Sequence, residues 1–239
     1  MKKILFYFSL LIFTAACEET NPTKDPNVPD LPETTQIDDV CEAMDDMEFI
    51  AYCYENFDVN GDGKVSMDEA KNVRLIDIYE KNIYSIKGIN YFSNLNEIQA
   101  SRCPLIEVDL RLNINLTEMS FHDCRKLEKV LLPDGISEIS NSAFWGCSRL
   151  TSIDIPNSVT SIGDRAFLEC SGLTSIDLPN AIASIGDHTF ERCENLTSID
   201  IPDSVTSIGS NAFVLCGLTS VVIPDQVSEI GFACFYDCI

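Results

Sequence analysis

The sequence predicts an α/β fold: a solenoid of stacked parallel strands built from repeats of about 23 residues, preceded by a small helical unit. Three observations carry this expectation. A cysteine recurs as Cys124, Cys147, Cys170, Cys193, Cys216 and Cys238, in steps of 23, 23, 23, 23 and 22. A phenylalanine column (Phe144, Phe167, Phe190, Phe213, Phe235) and a proline column (Pro133, Pro156, Pro179, Pro202, Pro224) follow the same period. Before the repeats, Val40, Met44, Met47, Ile50, Tyr54 and Phe57 recur at three- or four-residue spacing, which predicts one continuous amphipathic helix. A repeat of this length cannot bury its apolar face alone and must do so against its neighbours.

In chain order, residues 1–16 read as an export signal and not as part of the fold. Lys2 and Lys3 form a positive start, and residues 4–16 form an apolar stretch of 13 residues, too short for a bilayer core of roughly 30 Å. The stretch ends Phe13-Thr14-Ala15-Ala16-Cys17, which resembles a bacterial lipobox. That resemblance implies cleavage before Cys17 and lipidation of its thiol, an anchor that holds a chain to a membrane without spanning it. Residues 17–36 carry four of the ten prolines and almost nothing apolar, so they read as a flexible acidic tether. At about 3.1 Å per residue the tether reaches roughly 60 Å. Glu18 and Glu19 resemble the acidic signal that accompanies surface export of some bacterial lipoproteins. The expected location is therefore the outer membrane, lipid-anchored and facing the cell exterior.

Residues 37–75 form the helical unit. Within it, residues 58–69 match the EF-hand loop position by position. Asp58, Asn60, Asp62 and Ser66 place side-chain oxygens at positions 1, 3, 5 and 9. Lys64 offers its backbone carbonyl at position 7, and Glu69 stands at position 12. Gly63 supplies the sharp turn at position 6, and apolar Val65 sits at position 8. Hard Ca²⁺ takes six to eight oxygens, which is why this spacing points to Ca²⁺ as the cofactor. An exiting helix is expected from Ser66 to about Ile76. Only one such loop occurs, so the site reads as structural, in the weak range of about 10⁻⁴–10⁻³ M typical of extracellular modules. The unit is also placed to cap the first coil, since exposed terminal repeats need covering.

Residues 124–239 form the regular array. In Leu150-Thr151-Ser152-Ile153-Asp154-Ile155-Pro156 the apolar residues alternate inward, giving the leucine-rich-repeat strand pattern Leu-x-x-Ile-x-Ile. The same pattern predicts strands at 127–132, 173–178, 196–201 and 218–223. Val-x-x-Ile-Gly then makes a second extended stretch, with Gly163, Gly186, Gly209 and Gly231 expected at a bend of positive φ. Ala-Phe-x-x-Cys closes the turn with Phe and Cys inward. Upstream, residues 76–123 carry the pattern at steps of 10 and 11, from Leu95, Leu105, Leu116 and Leu127, so two half-turns make one coil. Copies such as residues 158–180, Ser-Val-Thr-Ser-Ile-Gly-Asp-Arg-Ala-Phe-Leu-Glu-Cys-Ser-Gly-Leu-Thr-Ser-Ile-Asp-Leu-Pro-Asn, resemble the BspA-like leucine-rich repeats of bacterial surface proteins. That resemblance implies adhesion to a protein or glycan outside the cell.

Composition removes other classes. The formal charge of −22 excludes a nucleic-acid role, because no basic surface is large enough to replace phosphate counterions. Residues 18–70 alone hold 16 acidic and 2 basic residues. No Gly-x-Ser-x-Gly, His-Glu-x-x-His or phosphate loop is present, so no enzyme is expected and no residue reads as catalytic. The 11 cysteines read mainly as small core residues with free thiols. Cys41 and Cys53, 12 apart on one helix, would stand about 18 Å apart and could not bond. The candidate ligand face is the outward column Ser152, Asp154, Ser175, Asp177, Ser198 and Asp200. The alternative to adhesion is a structural or scaffold subunit of an envelope complex. The sequence given stops at Ile239, just past the last Cys of the column, so either it is a fragment of a longer array or the final coil is an open end that docks a partner.

Overall fold

The computed structural model describes residues 37–238, which fall in one compact unit. The export signal, Cys17 and the acidic tether lie outside the described residues.

The helical unit is broken where one helix was expected. A 3-10 turn spans Val40–Ala43, and α1 begins only at Met47, running Met47–Phe57. Two aspartates cause the break. Asp39 caps the turn, accepting the Cys41 N–H at 2.9 Å, and Asp46 caps α1, accepting from Glu48 and Phe49 at 3.0 and 3.1 Å. Both have extended backbone, because a short carboxylate satisfies a free helix N–H better than it continues a helix. α2 spans Met67–Asn72, shorter than expected. Ser66 and Glu69 form a reciprocal capping box at its start, and the chain turns extended at Val73 to enter the first strand.

The solenoid starts with β1 (Leu75–Asp77), β2 (Glu97–Gln99), β3 (Glu107–Asp109), β4 (Glu118–Ser120) and β5 (Lys129–Leu131). Pairing is parallel and skips: β1 to β2 to β4 on one side, β3 to β5 on the other. The two half-turns per coil read from the 10- and 11-residue steps are therefore present. Ile76, Ile98 and Met119 stand in register on the first side, and Val108 faces Val130 on the second, all buried.

In the regular array the ladder lies where Val-x-x-Ile-Gly was read as a secondary stretch. Here run β6 (Glu138–Ile139), β7 (Ser161–Ile162), β8 (Ser184–Ile185), β9 (Ser207–Ile208) and β10 (Glu229–Ile230). β6 pairs with β7, and β8, β9 and β10 pair in order. The segments at 150–155, 173–178 and 196–201 turn their apolar residues inward, and 218–223 buries only Leu218 fully, but none of the four forms a strand ladder, which corrects the sequence expectation. Two bonds from one residue join two of them: the Thr174 N–H and hydroxyl donate to the Thr151 carbonyl at 2.9 and 3.1 Å. Each segment ends in a proline that lacks a ladder donor. Their outward aspartates would also oppose like charge to like charge. The equivalent pair β3–β5 instead opposes Glu107 to Lys129 and stays closely paired.

A second set of coil-to-coil bonds runs along the Ala-Phe-x-x-Cys turn, with donors pointing the other way. Arg165, Phe167 and Glu169 donate N–H to the carbonyls of Asp187, Thr189 and Glu191, one coil on, at 2.9, 2.9 and 2.8 Å. Inside this turn Phe121, Phe144, Phe167, Phe190, Phe213 and Phe235 stack ring on ring. Their centroids are 5.8, 5.5, 5.6, 5.4 and 5.3 Å apart, with planes within 11°. Such offset pairs add roughly 0.5–1.5 kcal/mol each beyond area burial.

The glycine that recurs at 163, 186, 209 and 231 is needed for space and not for φ. Gly163, Gly186, Gly209 and Gly231 do not take positive φ. A Cβ on Gly209 would instead meet the Asp187 backbone N at 2.6 Å, and one on Gly186 would meet the Asp164 N at 3.2 Å. The positive φ falls two residues later, on Ser142, Arg165, His188, Asn211 and Ala233, and again four residues beyond, as at Glu169, Arg192, Leu215 and Asp237.

Candidate functional site

The predicted calcium loop closes on its own N–H groups. The Asp58 carboxylate accepts from Gly61, Asp62 and Gly63 at 2.8, 3.1 and 2.9 Å. Asp62 accepts from the Lys64 N–H at 3.0 Å and from the Asn60 amide at 3.1 Å, while Asn60 accepts from the Asp62 N–H at 2.8 Å. Glu69 reaches back from α2 across the whole loop. One of its oxygens accepts from Val59 and Asn60 at 3.0 and 3.2 Å, the other from the Ser66 N–H and hydroxyl at 2.9 and 2.8 Å. These donors, the Ser66 N–H first, hold the Glu69 carboxyl below its usual range. Gly61 and Gly63 take φ of 72° and 85°, which the loop needs.

The six predicted ligands thus line one short loop, with Glu69 spanning its two ends. Among the described residues no three or more His, Cys, Asp or Glu side chains converge as a ready cage. In this conformation the carboxylates are hydrogen-bonded to the loop backbone. The donor set is all oxygen, suited to a hard cation and unsuited to zinc. The Lys64 ammonium lies outside the set, paired with Asp38.

A clamp that sequence reasoning missed supports this loop. Val65, at loop position 8, exchanges two bonds with the segment before the 3-10 turn. The Val40 N–H donates to the Val65 carbonyl at 2.9 Å, and the Val65 N–H donates to Asp39 at 3.2 Å. A second loop would normally answer these groups, and here residues 39 and 40 do so. Asp39 also accepts the Tyr54 hydroxyl at 2.7 Å. Burial alone would raise the Asp39 carboxyl, but the bonds from Tyr54, Cys41 and Val65 outweigh it and hold the group low. No residue-type signal marks this clamp, because it joins segments 26 residues apart.

The helical unit also covers the first coil. Tyr52 accepts the Asp77 N–H of the edge strand β1 at 3.0 Å. Asp46 accepts from Tyr84 and Ser85 at 2.7 and 3.2 Å, and Phe57 packs on Phe92 with centroids 5.3 Å apart. Edge donors and apolar surface at this end are thereby satisfied, which is the capping role expected of the unit.

On the repeats, Ser152, Asp154, Ser175, Asp177, Ser198 and Asp200 are all exposed, beside the buried Ile153, Ile176 and Ile199. They form a regular column on the side that carries no ladder. Sequence reasoning missed a cleft of about 830 Å³ near the helical unit, lined among others by Lys87, Glu107, Asp109, Arg111 and Lys129. Two ion pairs lie in it, Arg111 to Asp109 at 2.7 Å and Lys87 to Asp45 at 3.8 Å. The outward alternation of β3 and β5 is the sequence signal that could have located it. The last described coil exposes Val222, Phe232 and Tyr236. No helix among the described residues is long and apolar enough to cross a membrane.

The parallel pairing, inward alternation and stacked coils define a leucine-rich-repeat solenoid, a class of fold that typically serves as a binding scaffold. A family described as the BspA type leucine rich repeat region matches residues 114–239 in six copies. The chain belongs to this family. Among solved structures it is similar to a leucine rich repeat protein of T. pallidum, at 27% identity and a TM-score of 0.44, covering 58% of this chain and 76% of that one. It is also similar to a leucine rich cell surface protein from Faecalibacterium prausnitzii, at 30% identity and a TM-score of 0.47, covering 66% of this chain and 39% of that one. A leucine-rich repeat protein from Eubacterium ventriosum matches at 25% identity and a TM-score of 0.46, over 59% and 41%. This chain spans about two fifths of the last two proteins. No curated protein matches it.

Proposed function

We propose that this is an exported, lipid-anchored surface protein that binds an extracellular protein or glycan through its repeats, with one structural Ca²⁺ in the loop at 58–69. The observation that carries the binding reading is the exposed column of Ser152, Asp154, Ser175, Asp177, Ser198 and Asp200 on a rigid, repeating backbone. A column of hydroxyls and carboxylates at fixed intervals suits a basic or hydrogen-bonding ligand. Asp58, Asn60, Asp62, Ser66, Glu69 and the Lys64 carbonyl would hold the ion, which supplies charge neutralisation for the acidic loop. Because the loop is clamped to residues 39 and 40, an ion there would stiffen the cap and through it the first coil.

The test is binding of the purified protein to a panel of host matrix and plasma proteins, in calcium and in chelator, with the triple variant Asp154→Asn, Asp177→Asn, Asp200→Asn alongside. Saturable binding that weakens in the triple variant supports the reading. Binding that the triple variant leaves unchanged removes this face. No binding in either buffer moves the protein to a scaffold role within an envelope complex. The ion is tested separately by thermal melts. An unshifted melt on chelation, or a shift that survives Glu69→Gln, would overturn the calcium site.

A further inference from the structure

We propose that the cleft at β3 and β5 and the aspartate column beside it form one binding face, and that this face takes an extended polypeptide segment. An apolar side chain of the segment fills the cleft, and basic side chains lie over the column. The inference rests on the binding reading above and narrows its ligand from a protein or glycan to a polypeptide.

The strand register makes cleft and column continuous. Ser85, Glu107 and Lys129 stand side by side on neighbouring coils, and so do Asp109 and Leu131. The backbone bonds follow the same rows. Ile106 donates its N–H to the Tyr84 carbonyl at 3.2 Å, Glu128 to Ile106 at 2.8 Å, and Thr174 to Thr151 at 2.9 Å. Lys129 and Leu131 precede Ser152 and Asp154 by 23 residues, the same step as from Cys124 to Cys147. The row that passes through Asp109 and Leu131 therefore continues as Asp154, Asp177 and Asp200.

The two halves of the face differ in chemistry. In the cleft Arg111 is paired to Asp109 and Lys87 to Asp45, and Lys129 stands opposite Glu107, so charge largely cancels. What remains is apolar surface: Leu112 is 66% exposed and Leu131 half-buried, beside the buried Ile86, Ile89 and Val108. A neutral, partly apolar cleft of about 830 Å³ suits an apolar anchor. Along the row, Asp154, Asp177 and Asp200 are exposed, and among the described residues they have no ion-pair partner. Unpaired carboxylates in a row suit cations. A neutral glycan brings no cations, and an acidic glycan is repelled by the row. A polypeptide supplies both the anchor and the cations. The spacing agrees. At about 4.8 Å per coil the three aspartates lie roughly 5, 10 and 14 Å beyond Leu131. Same-side residues of an extended chain are about 6.6–6.8 Å apart. An apolar residue in the cleft thus brings the residue two further on between Asp154 and Asp177, and the residue four further on to Asp200.

The experiment uses the full-length protein and short labelled peptides of glycine and serine. Each carries one leucine with arginines two and four residues away, and the peptide is made in both chain directions. Companion peptides replace the leucine by serine, or both arginines by glutamine. Fluorescence anisotropy reads binding to the wild type, to Leu112→Ser, and to the triple variant Asp154→Asn, Asp177→Asn, Asp200→Asn. In one direction the leucine–arginine peptide should bind the wild type roughly tenfold more tightly than its serine companion. Leu112→Ser should erase most of that advantage and keep the dependence on arginine. The triple variant should erase the dependence on arginine and keep the leucine advantage. All four side chains are exposed, so both variants should melt with the wild type. A leucine advantage that Leu112→Ser leaves intact overturns the inference. So does the absence of binding in either direction up to about 1 mM peptide. A matrix or plasma protein that the triple variant no longer binds, while the peptides fail, keeps the reading above and rejects only the polypeptide segment. Capture of a neutral oligosaccharide by the wild type alone, again with no peptide bound, gives the face to a glycan instead.

Discussion

Gly209→Ala should cost far more than an alanine in an exposed extended loop usually does. At 2.6 Å from both the Asp187 N and the Gly186 carbonyl carbon, the added Cβ lies well inside the 3.4 Å at which ordinary contact begins. Backbone cannot rotate away as a side chain does, so the coil must open by about 0.8 Å. That displacement stretches the bond from Gly209 N–H to the Ile185 carbonyl, now 2.8 Å, past the limit of a hydrogen bond. Overpacking of about 1–3 kcal/mol and a lost backbone bond of about 1–3 kcal/mol give a total of roughly 2–6 kcal/mol. For a unit of this size the melting temperature should fall by roughly 5–20 °C. Circular dichroism melts of three variants separate the causes. Gly135→Ala, with nothing within 4 Å and no positive φ, should be neutral or slightly stabilising. Gly61→Ala, with φ of 72° and open space, should cost about 1 kcal/mol from backbone strain alone. If Gly209→Ala melts with Gly135→Ala, or if Gly209→Asn is better tolerated than Gly209→Ala, the steric account is refuted and a positive φ takes its place.

Two further outcomes follow from the core and the clamp. Phe190→Ala removes a fully buried ring stacked on both sides and should cost about 3–5 kcal/mol in urea unfolding. Phe235→Ala, half-buried and stacked on Phe213 at one face, should cost less than half as much, and equal losses would contradict the ring column as a source of stability. Asp39→Asn should lower stability at pH 7 by about 1–3 kcal/mol. Since the folded carboxyl is held low, its contribution is present above the unfolded value of about 4 and is lost as pH falls through the folded one. Melts of wild type and variant should therefore converge below about pH 4, and a constant gap down to acid pH would exclude the charged clamp.

The repeat architecture was legible because its period is nearly invariant and its inward residues are apolar in every coil. The position of the ladder was not. Leu150-x-x-Ile153 and Val159-x-x-Ile162 both alternate inward, and only the distance between neighbouring coils decides which segment pairs. The glycines showed where a side chain is forbidden but not why, since a crowded neighbour and a left-handed backbone leave the same mark. Most of the left-handed residues, Arg165 and Glu169 among them, are of types that do not favour such φ, so tertiary bonding alone reveals them. The loop residues of the candidate site were read directly from their spacing. Their support was not, because the apolar period from Val40 to Phe57 runs straight through Asp45 and Asp46 and hides the break between the 3-10 turn and α1.

The left-handed corners have a consequence for how such a surface can diversify. One corner column reads Ser142, Arg165, His188, Asn211 and Ala233, and the other includes Glu80, Arg102, Asp123, Glu169, Arg192, Leu215 and Asp237. At both, the main chain of every coil before the last is fixed by bonds to the next coil while the side-chain chemistry changes from coil to coil. The interior behaves as a printed grid and the corners as interchangeable type. New combinations of acid, base, amide and hydrocarbon can be set one coil at a time without disturbing the ring and thiol columns beneath.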